Sequence, residues 1–228
     1  MTKSADGTPF SLSRRYWLTA SASTAVFATL PAGATAVFAQ ARGDIAEAEL
    51  MREGPLPDLI YGNPDAKVTV IEYASMTCGH CARFHNIVYP ELKKKYIDTK
   101  KIRFIFREFP LDNLAAAASM LARCTDTPQK GEILTGALFK RQREWVIRGN
   151  PVPPLFEIAK QVGFTQEAFD KCLNNRDLLN KIAQGRDAAS KKFGIDSTPT
   201  FFVNGKRLQG GNMAAFEAAI EPLLKSAS

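Results

Sequence analysis

The chain has 228 residues, of which 45% are apolar and 23% charged, ordinary values that exclude a disordered polymer and a multi-helix membrane bundle. The formal net charge is +7; Lys3, Arg14 and Arg15 against Asp6 place +2 in the first 39 residues and leave +5 for the rest. That excess is spread in short runs such as 93–95 and 191–192, and no basic stripe is interleaved with aromatics, so nucleic acid is not expected as a partner.

Ser13-Arg14-Arg15-Tyr16-Trp17-Leu18 leads into a stretch without charge that lasts until Arg42. A charged start, an apolar middle and the small-residue end Val37-Phe38-Ala39 make an export signal over 1–39, of twin-arginine character. Pro31 and Gly33 interrupt the apolar part, which argues for a cleaved signal over a retained anchor. The mature protein is then expected outside the cytoplasm, where disulfides persist.

Residues 40–66 read as a polar lead-in with one short helix over 44–52, followed by the breakers Gly54, Pro55, Pro57 and Pro64. Residues 67–74 (KVTVIEYA) predict a buried strand. Cys78, Cys81, Phe84, Val88 and Leu92 form a helical stripe that ends near Tyr96 and carries a kinking Pro90. A second strand over 101–109 (KIRFIFREF) completes a βαβ unit. Helical patterns follow at 114–124, 132–145, 154–162, 165–174 and 176–193, the last stopped by Gly194. Two short strands at 200–203 and 206–209 flank Asn204-Gly205, a type I′ hairpin signal. Asn212 then caps an amphipathic helix bearing Met213, Phe216, Ile220 and Leu223. The order is βαβ, a helical block, then ββα, an α/β chain with the block inserted over 111–194.

Four cysteines are present, and two of them stand in Cys78-Gly79-His80-Cys81. Covalent haem attachment needs His at the next position, which is Ala82. A structural zinc site needs a second pair of ligands, and His85 with Cys124 or Cys172 would have to improvise one, so no metal is expected. A dithiol opening a helix after a buried strand fits better. There the first sulfur meets unpaired peptide N–H groups and the positive end of the helix dipole, which favour the thiolate. Cys78 is therefore the expected nucleophile and Cys81 the resolving thiol. Gly79 is expected to ease the turn, and the His80 imidazole to add a donor beside the sulfur. Stabilising the thiolate stabilises the reduced pair, which makes the disulfide an oxidant.

Two more residues join this set. Glu72 is an acid in an apolar strand, read either as an edge-strand surface group or as a buried carboxyl that relays the Cys81 proton. Thr198-Pro199 precedes a strand, where proline needs a reason. A cis-proline facing the dithiol, with Thr198 backbone groups holding a substrate strand, supplies one.

Glu72, the Cys-Gly-His-Cys pair, the helical insertion, Thr198-Pro199 and the closing hairpin and helix together resemble the periplasmic thiol:disulfide interchange proteins of the DsbA type. The resemblance covers about 57–224 and implies a thioredoxin fold with a helical domain inserted between its βαβ and ββα halves. The thioredoxin-like part would comprise 67–110 and 195–226. The resemblance also implies that Cys78 and Cys81 oxidise reduced or unfolded exported proteins, and that a quinone-linked membrane partner of the DsbB type reoxidises them. No cofactor is implied, and a monomer is expected. Gly-His inside the motif is similar to the eukaryotic disulfide isomerases, and Thr before the proline is similar to the bacterial isomerase branch. A lead-in of about 25 residues is short for that branch's dimerisation domain. Isomerase or reductase activity, or a metal-binding or holdase role, are the competing readings.

Cys124 and Cys172 lie 48 positions apart on apolar helix faces. In an oxidising compartment they are expected to form a second disulfide, the alternative being two buried thiols.

Overall fold

The computed structural model describes residues 43–52 and 54–226. The expected signal over 1–39 lies outside the described residues. The chain opens with a single helical turn, α1 (Glu47–Leu50), shorter than the helix expected over 44–52. Strand β1 (Leu59–Gly62) follows, where the sequence reading had only a lead-in and breakers. It is a four-residue edge strand between prolines, with Ile60 exposed and Tyr61 buried, too short for periodicity to register.

β2 (Thr69–Ala74) is buried at every position, and β3 (Arg103–Glu108) runs parallel to it. Between them the chain stays helical from Gly79 to Ile97, as α2 (Gly79–Arg83), α3 (Tyr89–Leu92) and two π-turns at Phe84–Val88 and Lys93–Ile97. Pro90 has no N–H to give the preceding turn, and the wider π-turns on either side absorb the mismatch so that the helix continues.

Four capping side chains, one proline and two left-handed glycines then shape the helical block. Asp112 accepts from the Ala115 N–H and starts α4 (Asn113–Arg123). Thr127 and Pro128 start α5 (Pro128–Lys140) four residues before the expected position, and α6 (Gln142–Trp145) is a separate turn. α7 (Val152–Ala159) runs through a 3₁₀ turn to Gly163, which takes the left-handed conformation. Thr165 caps α8 (Gln166–Leu173), Asn175 caps α9 (Arg176–Phe193), and Gly194 ends it. β4 (Thr200–Val203), β5 (Lys206–Arg207) and α10 (Met213–Ser226) complete the chain, with Asn212 accepting from the Ala215 N–H.

The sheet order is β1-β3-β2-β4-β5, so β2 is central, parallel to β3 and antiparallel to β4. Alternation sorts its residues onto two cores. Val70, Ala74, Phe104, Phe106, Phe201 and Val203 face α2, the helical block and α10. Ile71, Tyr73, Ile105 and Phe202 face Leu50 of α1 and Ala189 of α9. Cys124 and Cys172 are bonded, with Cα atoms 6.1 Å apart, and tie α4 to α8. In the chain-entropy view a bridge over 48 positions contributes about 4 kcal/mol.

The hairpin also holds the N-terminal segment. Asn204 and Gly205 both have positive φ, and the Ile45 N–H donates to the Gly205 carbonyl at 2.8 Å. A Cβ on Gly205 would lie 2.3 Å from the Ile45 carbonyl oxygen. Gly205→Ala is expected to lower stability by more than about 1 kcal/mol in urea unfolding, through positive φ and this clash together. A cost within a few tenths of a kcal/mol would contradict the close approach.

Candidate active site

β2 ends at Ala74, and its continuation is held by polar contacts to the start of α4. The Leu111 N–H donates to Ser75 Oγ at 3.2 Å, and Thr77 Oγ1 donates to Asp112 Oδ2 at 2.7 Å. The Cys78 N–H closes a turn onto the Ser75 carbonyl at 3.1 Å. Cys78 thus becomes the N-cap of α2 with φ −74° and ψ 121°, and its own carbonyl accepts from the Ala82 N–H at 3.0 Å. Cys78 is half-buried, whereas Cys81, one turn on, is fully buried.

The peptide bond between Thr198 and Pro199 is cis, and the Thr198 carbonyl accepts from Cys78 Sγ at 3.3 Å. The Thr198 hydroxyl is buried and otherwise unpartnered. A carbonyl contact suits the thiol. On ionisation the Thr198 hydroxyl is the group positioned to donate instead.

The two sulfurs titrate far apart. The hydrogen bond from the Cys81 thiol is the largest cause and brings Cys78 down to about 5. Partial burial opposes it, and the Thr198 hydroxyl and the peptide N–H groups of Cys81 and His80 add to it. Burial pushes the Cys81 thiol far up, and its bond to Cys78 and the negative charge of Glu72 push the same way. His80 reaches the sulfur through its N–H, while its ring is exposed on the groove wall.

Glu72 sits on the central strand between Phe106 and Phe201 and is fully buried, which removes the edge-strand alternative. Its Oε2 is 2.9 Å from His85 Nε2, and its Oε1 has no hydrogen-bond partner. His85 is itself buried and stacks on Phe139 at 4.2 Å between ring centres. His85 was missed as a site residue. Its signal was present, because a residue four after Cys81 lies on the same helix face. The improvised metal set is not assembled, since His85 is engaged by Glu72 and the other two cysteines are bonded to each other.

Gly79 departs from expectation. It is the first residue of α2, has no positive φ, and a Cβ there would meet nothing within 4 Å. The turn does not require glycine.

Two grooves flank the exposed side of α2. One, of ≈ 840 Å³, runs past His80, Ile87 and Thr198-Pro199 to Asn212. The other, of ≈ 830 Å³, lies between Gly79, Arg83 and the segment from Phe139 to Glu144. A further cavity of ≈ 360 Å³ borders Tyr73 and Arg107 on the opposite face of the sheet. Within its lining Arg107 pairs with Asp58, Arg123 with Glu108 and Arg52 with Glu49, and neither Cys78 nor Cys81 borders it.

A five-stranded sheet of this order, a helix-capping dithiol and a facing cis-proline define a thioredoxin-fold dithiol protein. The Thioredoxin family profile matches residues 56–222. A Rickettsia bellii protein, named as a protein-disulfide oxidoreductase, is 36% identical over 173 residues, covering 74% of this chain and 65% of that protein. The chain thus spans about three-fifths to two-thirds of the length of such curated relatives. The crystal structure of Wolbachia pipientis alpha-DsbA1 superposes with TM-score 0.73 at 34% identity, covering 80% of this chain and 98% of that one. Oxidised BdbD from Bacillus subtilis shares the fold, with TM-score 0.67 at 22% identity over 74% of this chain and 93% of that one. The chain belongs to the thioredoxin family and, within it, to the DsbA-type proteins.

Two outcomes follow for the dithiol. An unfolded Cys78 titrates near 8.5 and the folded one near 5, so the unfolded reduced chain holds the extra proton between those values. The reduced protein should gain stability relative to Cys78→Ser as pH rises through that window and lose it as pH falls through 5; parallel melting curves would contradict this. Gly79→Pro is compatible with the extended ψ of Cys78 and with the first helical position, and should raise stability by about 0.4–1 kcal/mol. A net loss in urea unfolding would show that glycine is needed after all.

Proposed function

We propose that this protein is a thiol:disulfide oxidoreductase that introduces disulfides into reduced exported proteins. The observation that carries this reading is the contrast between the two sulfurs: Cys78 is half-buried at the helix start against the Thr198 carbonyl and Cys81 is fully buried one turn on, which holds the first down to about 5 and pushes the second far up. A stable Cys78 thiolate favours the reduced pair, and a favoured reduced pair means an oxidising disulfide.

The cycle begins with the Cys78–Cys81 disulfide. A substrate thiolate attacks the half-buried Cys78 Sγ, forming the mixed disulfide and breaking the bond to Cys81. The electron pair goes to Cys81, which is too buried to persist as an anion and takes a proton as it leaves. Glu72, with His85 as its buried partner, relays that proton to Cys81, taking one up before it passes one on. A second substrate thiolate then attacks the substrate sulfur of the mixed disulfide and expels Cys78. A thiolate of low pKa is a fast leaving group, which releases the oxidised substrate. Two electrons pass from substrate to protein. Thr198 and Pro199 hold the substrate strand in the groove beside Cys78, with His80 on its wall.

The protein acts outside the cytoplasm as a monomer, exported by the segment over 1–39, and a quinone-linked membrane partner of the DsbB type returns it to the disulfide. The thioredoxin-like part is 67–110 with 195–226, and 111–194 is the inserted helical part.

Cys81→Ser whose Cys78 is first converted to the mixed disulfide with thionitrobenzoate is expected to accumulate a Cys78–ribonuclease mixed disulfide with reduced, unfolded ribonuclease on non-reducing gels, one thionitrobenzoate leaving per bond formed, because release by Cys81 is blocked. Wild-type protein with oxidised glutathione should restore ribonuclease activity from the reduced enzyme. Recovery only from scrambled ribonuclease would favour an isomerase, and tight Zn²⁺ binding without any captured substrate would favour a metal-binding role. Glu72→Gln should slow escape of the mixed disulfide through Cys81 by about 10², leaving the Cys78 midpoint near 5. An unchanged escape rate would remove Glu72 from the proton path.

A further inference from the structure

The dithiol turn has a partner from the helical block that no motif signals. Gln142, the first residue of α6, points its carboxamide nitrogen at two main-chain carbonyls, Met76 O at 2.9 Å and Cys78 O at 3.0 Å. One NH₂ group carries two hydrogens, so each carbonyl receives one. These carbonyls bracket the residues that present the nucleophile. We propose that Gln142 is a positioning residue for the redox chemistry, pinning the Met76–Cys78 turn from the helical block and occupying the negative ends of two peptide dipoles in the turn that carries Cys78.

α6 is held for this task. Trp145 is fully buried and donates its indole N–H to the Leu138 carbonyl at 2.9 Å, and Arg141 pairs with Glu144 across the same turn. Gln142 is half-buried, so its side chain is fixed by these neighbours without being part of a core. The Cys78 carbonyl already accepts the first hydrogen bond of α2, and the Gln142 hydrogen is its second. Both lone pairs of that oxygen are then engaged by N–H donors, which offset its partial negative charge. Without the carboxamide, two carbonyl oxygens beside the thiolate lose a donor, and the turn is free to relax away from Thr198.

The inference rests on the reading of Cys78 as the nucleophile, and the test separates the two. The pH dependence of Cys78 alkylation by iodoacetamide and the equilibrium with glutathione are measured for wild type, Gln142→Leu and Gln142→Lys. The charged groups around the site stay the same in all three: His80, Arg83, Lys140, Arg141, Arg143 and Glu144 in the groove, Glu72 and His85 below, and Asp112 at the turn. Gln142→Leu removes both donors and should raise the midpoint by about one unit, with a three- to tenfold weaker preference for the reduced pair over glutathione, to an order of magnitude. Gln142→Lys keeps a donor, adds a positive charge, and should move both quantities the opposite way. A merely structural glutamine would lower the melting temperature of both variants and leave both midpoints at the wild-type value, which overturns the inference. If wild type itself titrates near 8.5, the nucleophile reading fails first.

Discussion

Two sulfurs three positions apart experience opposite environments, and the rest of the site exists to keep them so. Cys78 stands at the end of a loop where a helix begins, with the Cys81 thiol, peptide N–H groups and the Thr198 hydroxyl directed at it. Cys81 is carried one turn into the core, where burial and the charge of Glu72 oppose ionisation. Joining such a pair in a disulfide forfeits the favourable charge on the first sulfur. Opening it recovers that charge.

The fold supplies this contrast through its central strand. β2 runs between β3 and β4 with every residue buried, so the chain leaves it at a fixed point and direction. Placing Glu72 in that strand is costly, since a carboxyl away from water needs compensation. His85 compensates one oxygen, and the other remains unpartnered. In the proposed cycle this half-satisfied buried acid serves the Cys81 proton, which would account for its cost. The second disulfide bonds α4 to α8, stabilising the helical block from which Phe139 stacks on His85 and Gln142 reaches the dithiol turn.

Much of this is legible in the amino-acid sequence. The apolar run over 67–74, the Asn204-Gly205 turn, and the caps Thr165 and Asn212 are local signals, and local signals survive folding. Cys78 and Cys81 were legible because their spacing and the preceding strand leave few other chemistries. β1 was not, because a four-residue edge strand between prolines has too little pattern to separate from a loop. The start of α5 was placed late because Thr127-Pro128 was not read as a cap. Gly79 was assigned a backbone role that its open surroundings do not require. His85 carried a helical-face signal that went unused. Gln142 carried none, since its meaning comes from a contact 64 positions away.

The account stands or falls on the charge of one atom. The ultraviolet thiolate absorbance of the reduced protein, followed across pH with the Cys124–Cys172 bond intact, reports it directly. A single transition near 5, absent in Cys78→Ser, is the expected result. A transition near 8.5, where an ordinary cysteine titrates, would contradict it.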